Sequence, residues 1–153
     1  MMRGIGRSIV KKIAQEILGV RLRIALLRMI GLTIGNQTYI GGGLTIAESL
    51  ENPLPITIGD RVAIGPEVIL VTSSHPNFSI LRVEFGTKKG EIVIQDDAWI
   101  GAGAIILPGI KIGKKAIVGA GSVVTKDVPD GFIFIGSNVT ERLIDQSHWP
   151  KSK

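Results

Sequence analysis

The side chains best suited to acid–base chemistry in this chain are its two histidines, His75 and His148. An imidazole has a pKa of about 6.5, so it can accept a proton from a hydroxyl group near neutral pH. His75 directly precedes a polar stretch inside a repetitive region, whereas His148 stands in the polar C-terminal segment. We predict that His75 is a general base and that His148 is incidental. The alternative for His75 is a surface histidine at the start of a loop.

The composition excludes several kinds of site. The 153 residues include no cysteine, which rules out disulfides, thiolate zinc ligands and a cysteine nucleophile. Two histidines cannot supply the three imidazoles of a three-histidine zinc site within one chain. Asp60, Asp96 and Asp97 do not converge with histidines in the sequence, so no metal site is predicted.

The sequence around His75 contains a repeat with a period of six residues. Aliphatic residues occupy twelve of the thirteen positions spaced by six from residue 34 to 70 and from 94 to 124, with Asn52 as the exception. A period of six matches neither a helix nor a simple amphipathic strand. It fits a triangular solenoid, in which each hexad gives one short strand and one corner, and three hexads complete a coil of about 18 residues. We predict an all-β solenoid of parallel strands whose inward residues are Ile34, Ile40, Ile46, Ile58, Ile64, Leu70, Ile94, Ile100, Ile106, Ile112, Val118 and Val124.

The repeat is distorted at 51–57, where Pro53 and Pro55 deny two backbone donors to a ladder. It is interrupted at residues 76–91, where polar and charged residues take up the interior phase. We expect this segment to be a loop extruded from the solenoid, immediately after His75, because a rigid scaffold tolerates an outward insertion at little cost.

The N-terminal segment differs from the repeat. Residues 5–30 carry apolar residues at helical spacing beside Arg and Lys, with Gly19 dividing the helix and Gly31 ending it. This segment is expected to cap the open end of the solenoid, to lie on an anionic membrane as a basic amphipathic helix, or to do both. The predicted divisions are an amphipathic helical cap (1–31), a β-helix domain (32–136) with the extruded loop 76–91, and a C-terminal tail (137–153).

Charge and hydropathy limit the partners. The net charge is +5, much of it at the two ends, and no nucleic-acid-binding motif accompanies it, so no nucleic acid partner is predicted. No convincing secretory signal and no stretch of 18 uncharged apolar residues are found. We expect a cytoplasmic protein with peripheral membrane contact through the N-terminal helix.

Four motifs follow one another along the repeat: Ser74-His75-Pro76, Ala98-Trp99-Ile100-Gly101-Ala102-Gly103-Ala104, Pro108-Gly109-Ile110-Lys111-Ile112-Gly113 and Val118-Gly119-Ala120-Gly121-Ser122-Val123-Val124-Thr125-Lys126-Asp127-Val128-Pro129. In this order they resemble the hexapeptide-repeat acetyltransferases, in particular maltose and galactoside O-acetyltransferases and their relatives acting on polysaccharides. The resemblance covers residues 34–136 and implies a left-handed β-helix, a homotrimer, and acetyl-coenzyme A bound between adjacent subunits.

The resemblance also implies roles for single residues. His75 matches the catalytic histidine, Trp99 a tryptophan near the thioester, and Ala102 a position whose backbone N–H faces the developing oxyanion. Ala120, Thr125 and Lys126 match coenzyme contacts. The basic residues expected after the last coil are displaced here, and Arg142 alone is close. No acceptor-binding asparagine or acidic residue is recognisable, so the acceptor stays open, as does the carboxylate partner of His75.

These features predict an acetyl-coenzyme A-dependent O-acetyltransferase that acts on a hydroxyl of a sugar or glycan precursor, with His75 as general base and no metal requirement. Two alternatives remain at this point: an N-acetyltransferase acting on an amino sugar, and a non-catalytic β-helix scaffold. Gamma-type carbonic anhydrases share the solenoid but use three histidines, whereas this repeat contains one.

Overall fold

A computed structural model describes residues 9–10, 13, 19–48 and 56–142 of the chain. The distorted hexad lies mostly outside these residues, and so does His148. Helix α1 (Val20–Met29) leads into the repeat and ends two residues before Gly31, whose φ of 108° is unfavourable for a residue with a side chain. In the described part of the chain, no helix is long and apolar enough to cross a membrane.

Three sheets form the three faces of the protein body, and their strands are parallel except for the last strand of the second sheet. Sheet A contains β1 (Thr33–Ile34), β4 (Ile56–Ile58), β9 (Ile92–Ile94) and β12 (Lys111–Ile112). Sheet B contains β2 (Tyr39–Ile40), β5 (Ala63–Ile64), β10 (Trp99–Ile100), β13 (Ile117–Val118), β15 (Phe132–Ile135) and β16 (Asn138–Arg142). Sheet C contains β3 (Thr45–Ala47), β6 (Ile69–Val71), β11 (Ile105–Ile106) and β14 (Val123–Val124). The chain visits sheets A, B and C in turn, so each coil is a triangle with an AB, a BC and a CA edge.

The interior is filled by the aliphatic positions of the hexads. All twelve that the sequence predicts to point inward are buried, and each stacks on its equivalent in the next coil through the strand register. Short strands with two β-branched residues suit this arrangement, because one side chain faces the core and the next faces outward. The predicted parallel β-helix is thereby confirmed.

The coils differ in length. Ile34 pairs with Ile58, Ile58 with Ile94 and Ile94 with Ile112, so successive coils take 24, 36 and 18 residues rather than a uniform 18. The extra residues fall in the connections from sheet C to sheet A, between β3 and β4 and between β6 and β9. The insertion that the structure describes, residues 72–91, therefore lies on the CA edge, and the connections along the other two edges are regular.

The two ends of the solenoid are covered differently. At the first coil, Leu27 and Ile30 are buried, and the buried Arg23 guanidinium donates to the Ile40 carbonyl at 2.6 Å. At the other end, β15 inserts the buried Phe134 below the last coil, and β16 pairs with it antiparallel. A strand, β16, therefore lies beyond residue 136, the predicted end of the β-helix domain.

The AB edge is held by aspartate side chains. The Asn36 amide donates to Asp60 Oδ1 at 2.6 Å, and the Asp60 amide donates to Asp96 Oδ1 at 3.0 Å, so each carboxylate accepts a hydrogen bond from the coil before it. Beside this ladder, Arg61 and Asp97 form a bidentate pair at 2.6 and 2.9 Å. The hydrogen bond from Arg61 lowers the pKa of Asp97, and the same contact raises the pKa of Arg61.

Candidate active site

The extruded loop, residues 76–91, leaves the solenoid as a two-stranded ribbon. β7 (Ser73–Ser74) pairs antiparallel with β8 (Lys88–Lys89), and one turn of helix, α2 (Arg82–Phe85), lies between them. Residues 77–89 are all exposed, so the segment packs little against its own coil. His75 follows β7 directly, where the ribbon leaves the CA edge.

An open cavity of about 350 Å³ lies beside His75. His75 and Ser74 form one wall, and the extruded loop supplies the opposite one, with Leu81 and Phe85 one helical turn apart. Lys88 adds a cation from β8. The remaining lining residues are Pro76 and Gly86. The exposed imidazole therefore faces a space that can admit a small polar molecule.

His75 has no hydrogen-bond or ion-pair partner among residues 19–48 and 56–142. The extruded loop contains two acids, Glu84 and Glu91, and neither forms a hydrogen bond or ion pair with His75. Glu91 instead accepts a hydrogen bond from Thr57 at 3.3 Å, on the side of sheet A. A carboxylate that orients the imidazole is therefore not supplied by the described part of this chain.

Ala102 and Ala120 lie on the BC edge, at the positions that Asn36 and Asp60 occupy on the AB edge. The two edges differ in whether the backbone N–H at the corner has a hydrogen-bond acceptor. On the AB edge, aspartate side chains accept the N–H. On the BC edge, alanine cannot accept, and within the described residues the N–H groups of Ala102 and Ala120 have no acceptor. These exposed donors are available to a ligand that presents an oxygen.

Trp99 lies on the outer face of sheet B and is 44% exposed. The strand register aligns it with Ala63 on one side and Ile117 on the other. Tyr39 and Ile133 continue the same column toward the two ends of the solenoid. The outward column of sheet B from β2 to β15 therefore consists of aromatic and aliphatic side chains.

The other predicted coenzyme contacts lie elsewhere. Thr125 and Lys126 are exposed on the CA edge, below His75 and separated from it by the corner at Pro108 and Gly109. Arg142 ends β16, where its backbone pairs with Phe132.

The predicted site residues thus divide between two edges of one chain. His75, Thr125 and Lys126 share the CA edge, whereas Ala102 and Ala120 share the BC edge with Trp99 next to it on sheet B. Sheet C separates the two edges. A second copy of the chain that placed its BC edge beside this CA edge would bring the two groups of residues together.

Two cavity residues, Leu81 and Phe85, have no counterpart in the sequence-based prediction. Their spacing of four within a charged segment was the available signal, since it places both on one face of a helical turn. A four-residue helix is too short for that pattern to stand out in a sequence.

Comparison with known proteins agrees with this architecture. The family model for the bacterial transferase hexapeptide (six repeats) matches residues 91–126. A galactoside O-acetyltransferase from Lactococcus lactis subsp. lactis (strain IL1403) is 37% identical over 114 residues, which cover 74% of this chain and 53% of that protein. A hexapeptide-repeat containing acetyltransferase from Vibrio cholerae has a TM-score of 0.73 at 29% identity, covering 92% of this chain and 90% of that one.

A second Vibrio cholerae structure, complexed with acetyl coenzyme A, has a TM-score of 0.64 at 29% identity over 91% of this chain and 86% of that one. This chain spans about half the length of the curated relatives it matches.

The three-sided coil of six-residue repeats defines the class of hexapeptide-repeat proteins with a left-handed β-helix. Within that class, the chain is similar to the hexapeptide-repeat acetyltransferases. The family resemblance stated from the motifs is confirmed.

Proposed function

We propose that this protein transfers the acetyl group of acetyl-CoA to a hydroxyl of a sugar or glycan precursor. One observation carries the proposal: an exposed imidazole, His75, faces a cavity on one edge, while the backbone N–H groups of Ala102 and Ala120, which have no acceptor in the described ranges, line another. A base and preorganised N–H donors are the two groups that acyl transfer from a thioester needs.

In the proposed reaction, His75 accepts the proton of the acceptor hydroxyl as its oxygen attacks the thioester carbon. The negative charge that forms on the carbonyl oxygen receives a hydrogen bond from the Ala102 N–H. The C–S bond then breaks, and the imidazolium returns its proton to the departing thiolate of coenzyme A. The products are an acetyl ester and free coenzyme A, and no metal takes part.

We propose a homotrimer in which the CA edge of one copy lies beside sheet B and the BC edge of the next. The separation of the site residues on two edges supports this arrangement, because one chain cannot close both edges around one thioester. The apolar outer face of sheet B supports it as well, since the exposed Trp99 is suited to burial between two copies.

The coenzyme would lie in the cleft between two copies. Trp99 would pack against the pantetheine arm, and the Ala120 amide would bond one of its carbonyl groups. Thr125, Lys126 and Arg142 would hold the phosphates, where lysine and arginine match the negative charge. In the same proposal, residues 1–31 cap the solenoid and contact a membrane surface peripherally, and residues 137–153 follow the β-helix domain of 32–136.

An amine acceptor is the second candidate, because the same base and donors would serve an amino sugar. The cavity beside His75 favours neither acceptor. A non-catalytic scaffold is the third, and coenzyme binding separates it from the two enzymes.

The test begins with calorimetric titration of acetyl-CoA into wild-type protein and into a Lys126→Gln variant. We expect one site per chain, with weaker binding in the variant because a phosphate loses its cation. Released thiol is then followed with a panel of hexoses and amino sugars. A folded protein that binds no acetyl-CoA would leave the scaffold as the remaining function, and thiol release with amino sugars alone would replace the hydroxyl by an amine.

A further inference from the structure

A second cavity, larger than the one beside His75, lies between helix α1 and the first coil. Its volume is about 520 Å³. Helix α1 supplies one wall with the stripe Val20, Ile24 and Arg28 and with the adjacent Arg21. The corner after β1 and the strand β2 supply the other wall, through Asn36, Gln37 and Tyr39. None of the sequence motifs or family contacts assigned above falls in this cavity.

The cavity is cationic. Two guanidinium groups line it, and none of its described lining residues is a carboxylate. Arg28 is fixed in place, since its Nη2 donates to the carbonyls of Ile34 and Gly35 at 2.7 and 2.8 Å. The Arg21 side chain is exposed and makes no ion pair or hydrogen bond with any residue in the described ranges. Asp60, a carboxylate whose Oδ1 lies beside the lining residue Gly35, accepts the Asn36 backbone N–H.

The rest of the lining suits a sugar. The Tyr39 ring is 51% exposed and offers an apolar face, and the side-chain amides of Asn36 and Gln37 can donate to and accept from hydroxyl groups. An arginine, an aromatic ring and two amides around one space match a polar ring that carries a negative group.

The cavity is also placed within reach of the proposed coenzyme cleft. Tyr39, Ala63 and Trp99 follow one another in the register of sheet B. Neighbouring strands are about 4.8 Å apart, so Tyr39 and Trp99 are separated by about 10 Å. The small Ala63 side chain lies between the two rings, which leaves a shallow path along the sheet. A ligand of two sugar units could span that path.

We propose that this cavity is an anion-binding subsite, in which Arg21 binds a phosphate or carboxylate group of the acceptor while Tyr39 packs against its sugar ring. The identification of the ligand as the acceptor rests on the proposed function, whereas the anion-binding subsite itself is inferred from the cavity alone. The acceptor class is thereby narrowed to acidic or phosphorylated glycans, including precursors whose phosphate joins the sugar to a carrier.

The test is a calorimetric titration of glucose 1-phosphate into the full chain, with methyl glucoside as the uncharged counterpart. Saturating coenzyme A is present, so that its own phosphate site is filled. The variants are Arg21→Gln and, as a matched loss of one positive charge on the outer face of sheet A, Lys111→Gln. We expect Arg21→Gln to weaken glucose 1-phosphate binding at least about tenfold, because a charge-assisted hydrogen bond is lost. Lys111→Gln should bind like wild type, and methyl glucoside should bind more weakly than the phosphate.

A lipid headgroup could supply the same phosphate, so a second arm measures sedimentation with vesicles of phosphatidylcholine alone or mixed with phosphatidylglycerol. Arg21-dependent binding to the mixed vesicles without binding of glucose 1-phosphate would overturn the acceptor subsite and make the cavity a membrane contact. Equal binding of glucose 1-phosphate by wild type and Arg21→Gln would overturn it too.

The affinity for acetyl-CoA, measured on the same samples, distinguishes failure of the anion-subsite proposal from failure of the acetyltransferase proposal. Wild type and Arg21→Gln should bind acetyl-CoA equally, since the cavity lies at the first coil and the coenzyme contacts lie further along the solenoid. Arg21-dependent sugar phosphate binding without acetyl-CoA binding would support the anion subsite and reject the transferase.

Discussion

Gly65 and Ala102 lie backbone against backbone on the BC edge of successive coils, so that a Cβ atom on Gly65 would stand 2.6 Å from the Ala102 nitrogen. No real Cβ approaches a backbone atom so closely. The absence of a side chain at residue 65 therefore fixes the position of the amide proposed to stabilise the oxyanion.

We predict that Gly65→Ala displaces this amide and lowers both stability and turnover. Overpacking of this kind typically costs about 1–3 kcal/mol in the free energy of unfolding. Gly42 is the matched control on the same edge, because a Cβ there would meet only the Arg23 side chain at an ordinary 3.7 Å. Urea unfolding and thiol-release assays of the two variants check this, and equal loss in both would show that the close contact is not the cause.

His75→Ala is expected to lower kcat by about 100- to 10,000-fold, the usual contribution of a positioned base. The KM for acetyl-CoA should change little, because the imidazole touches the acceptor hydroxyl rather than the coenzyme. The unfolding midpoint should stay at the wild-type value, since His75 is exposed. Steady-state kinetics with a responsive acceptor measure the first two quantities, and wild-type turnover in the variant would remove His75 from the mechanism.

Ala102→Pro removes the proposed oxyanion donor without requiring a new corner geometry. Pro66 already occupies the equivalent corner one coil earlier, also after a glycine, so the fold accepts proline at this position. We expect kcat to fall by about 100- to 1,000-fold with the secondary structure retained. Ala102→Ser, which keeps the N–H, should remain active. If the proline variant were as active as the serine variant, another donor would have to bind the oxyanion.

Mixing two inactive variants tests whether one site uses two copies. His75→Ala lacks the base, and Ala102→Pro lacks the donor on the other edge. When the two are co-expressed in equal amounts, about one quarter of the sites should combine an intact His75 with an intact Ala102 from the neighbouring copy. Activity should therefore return well above the sum of the separate variants. A site contained in one chain would show no recovery.

The Arg61–Asp97 pair gives a pH dependence of stability. The hydrogen bond from Arg61 holds the pKa of Asp97 below its ordinary value of about 3.9, so the pair stabilises the fold above that pH and loses its effect as the pH falls through the lowered pKa. Asp97→Asn should unfold at a slightly lower temperature than wild type at pH 7. The difference should close below about pH 4 and shrink in high salt, because both side chains are partly exposed. A gap that widened in acid would contradict this assignment.

The sequence was informative about the inside of the molecule. An aliphatic residue every six positions is a local pattern, and each one is buried because a three-sided coil has a single interior. The position of the extruded loop could also be predicted, because Arg82 and Lys88 occupy positions of the six-residue period that elsewhere face the core. The motif order indicated the family for the same reason, as the residues lie at fixed places in consecutive hexads.

Which edge each residue occupies was decided only by the tertiary structure. The first coil takes 24 residues instead of 18 and so shifts the count by one hexad, which is why residue number alone does not place His75 on the CA edge and Ala102 on the BC edge. Strand pairing is a long-range choice that the six-residue period does not encode. The free amides of the BC edge, the contact of Gly65 with Ala102 and the cationic cavity below α1 all depend on that choice. The sequence by itself determined what is buried, and the stacking of the coils determined which exposed groups can meet.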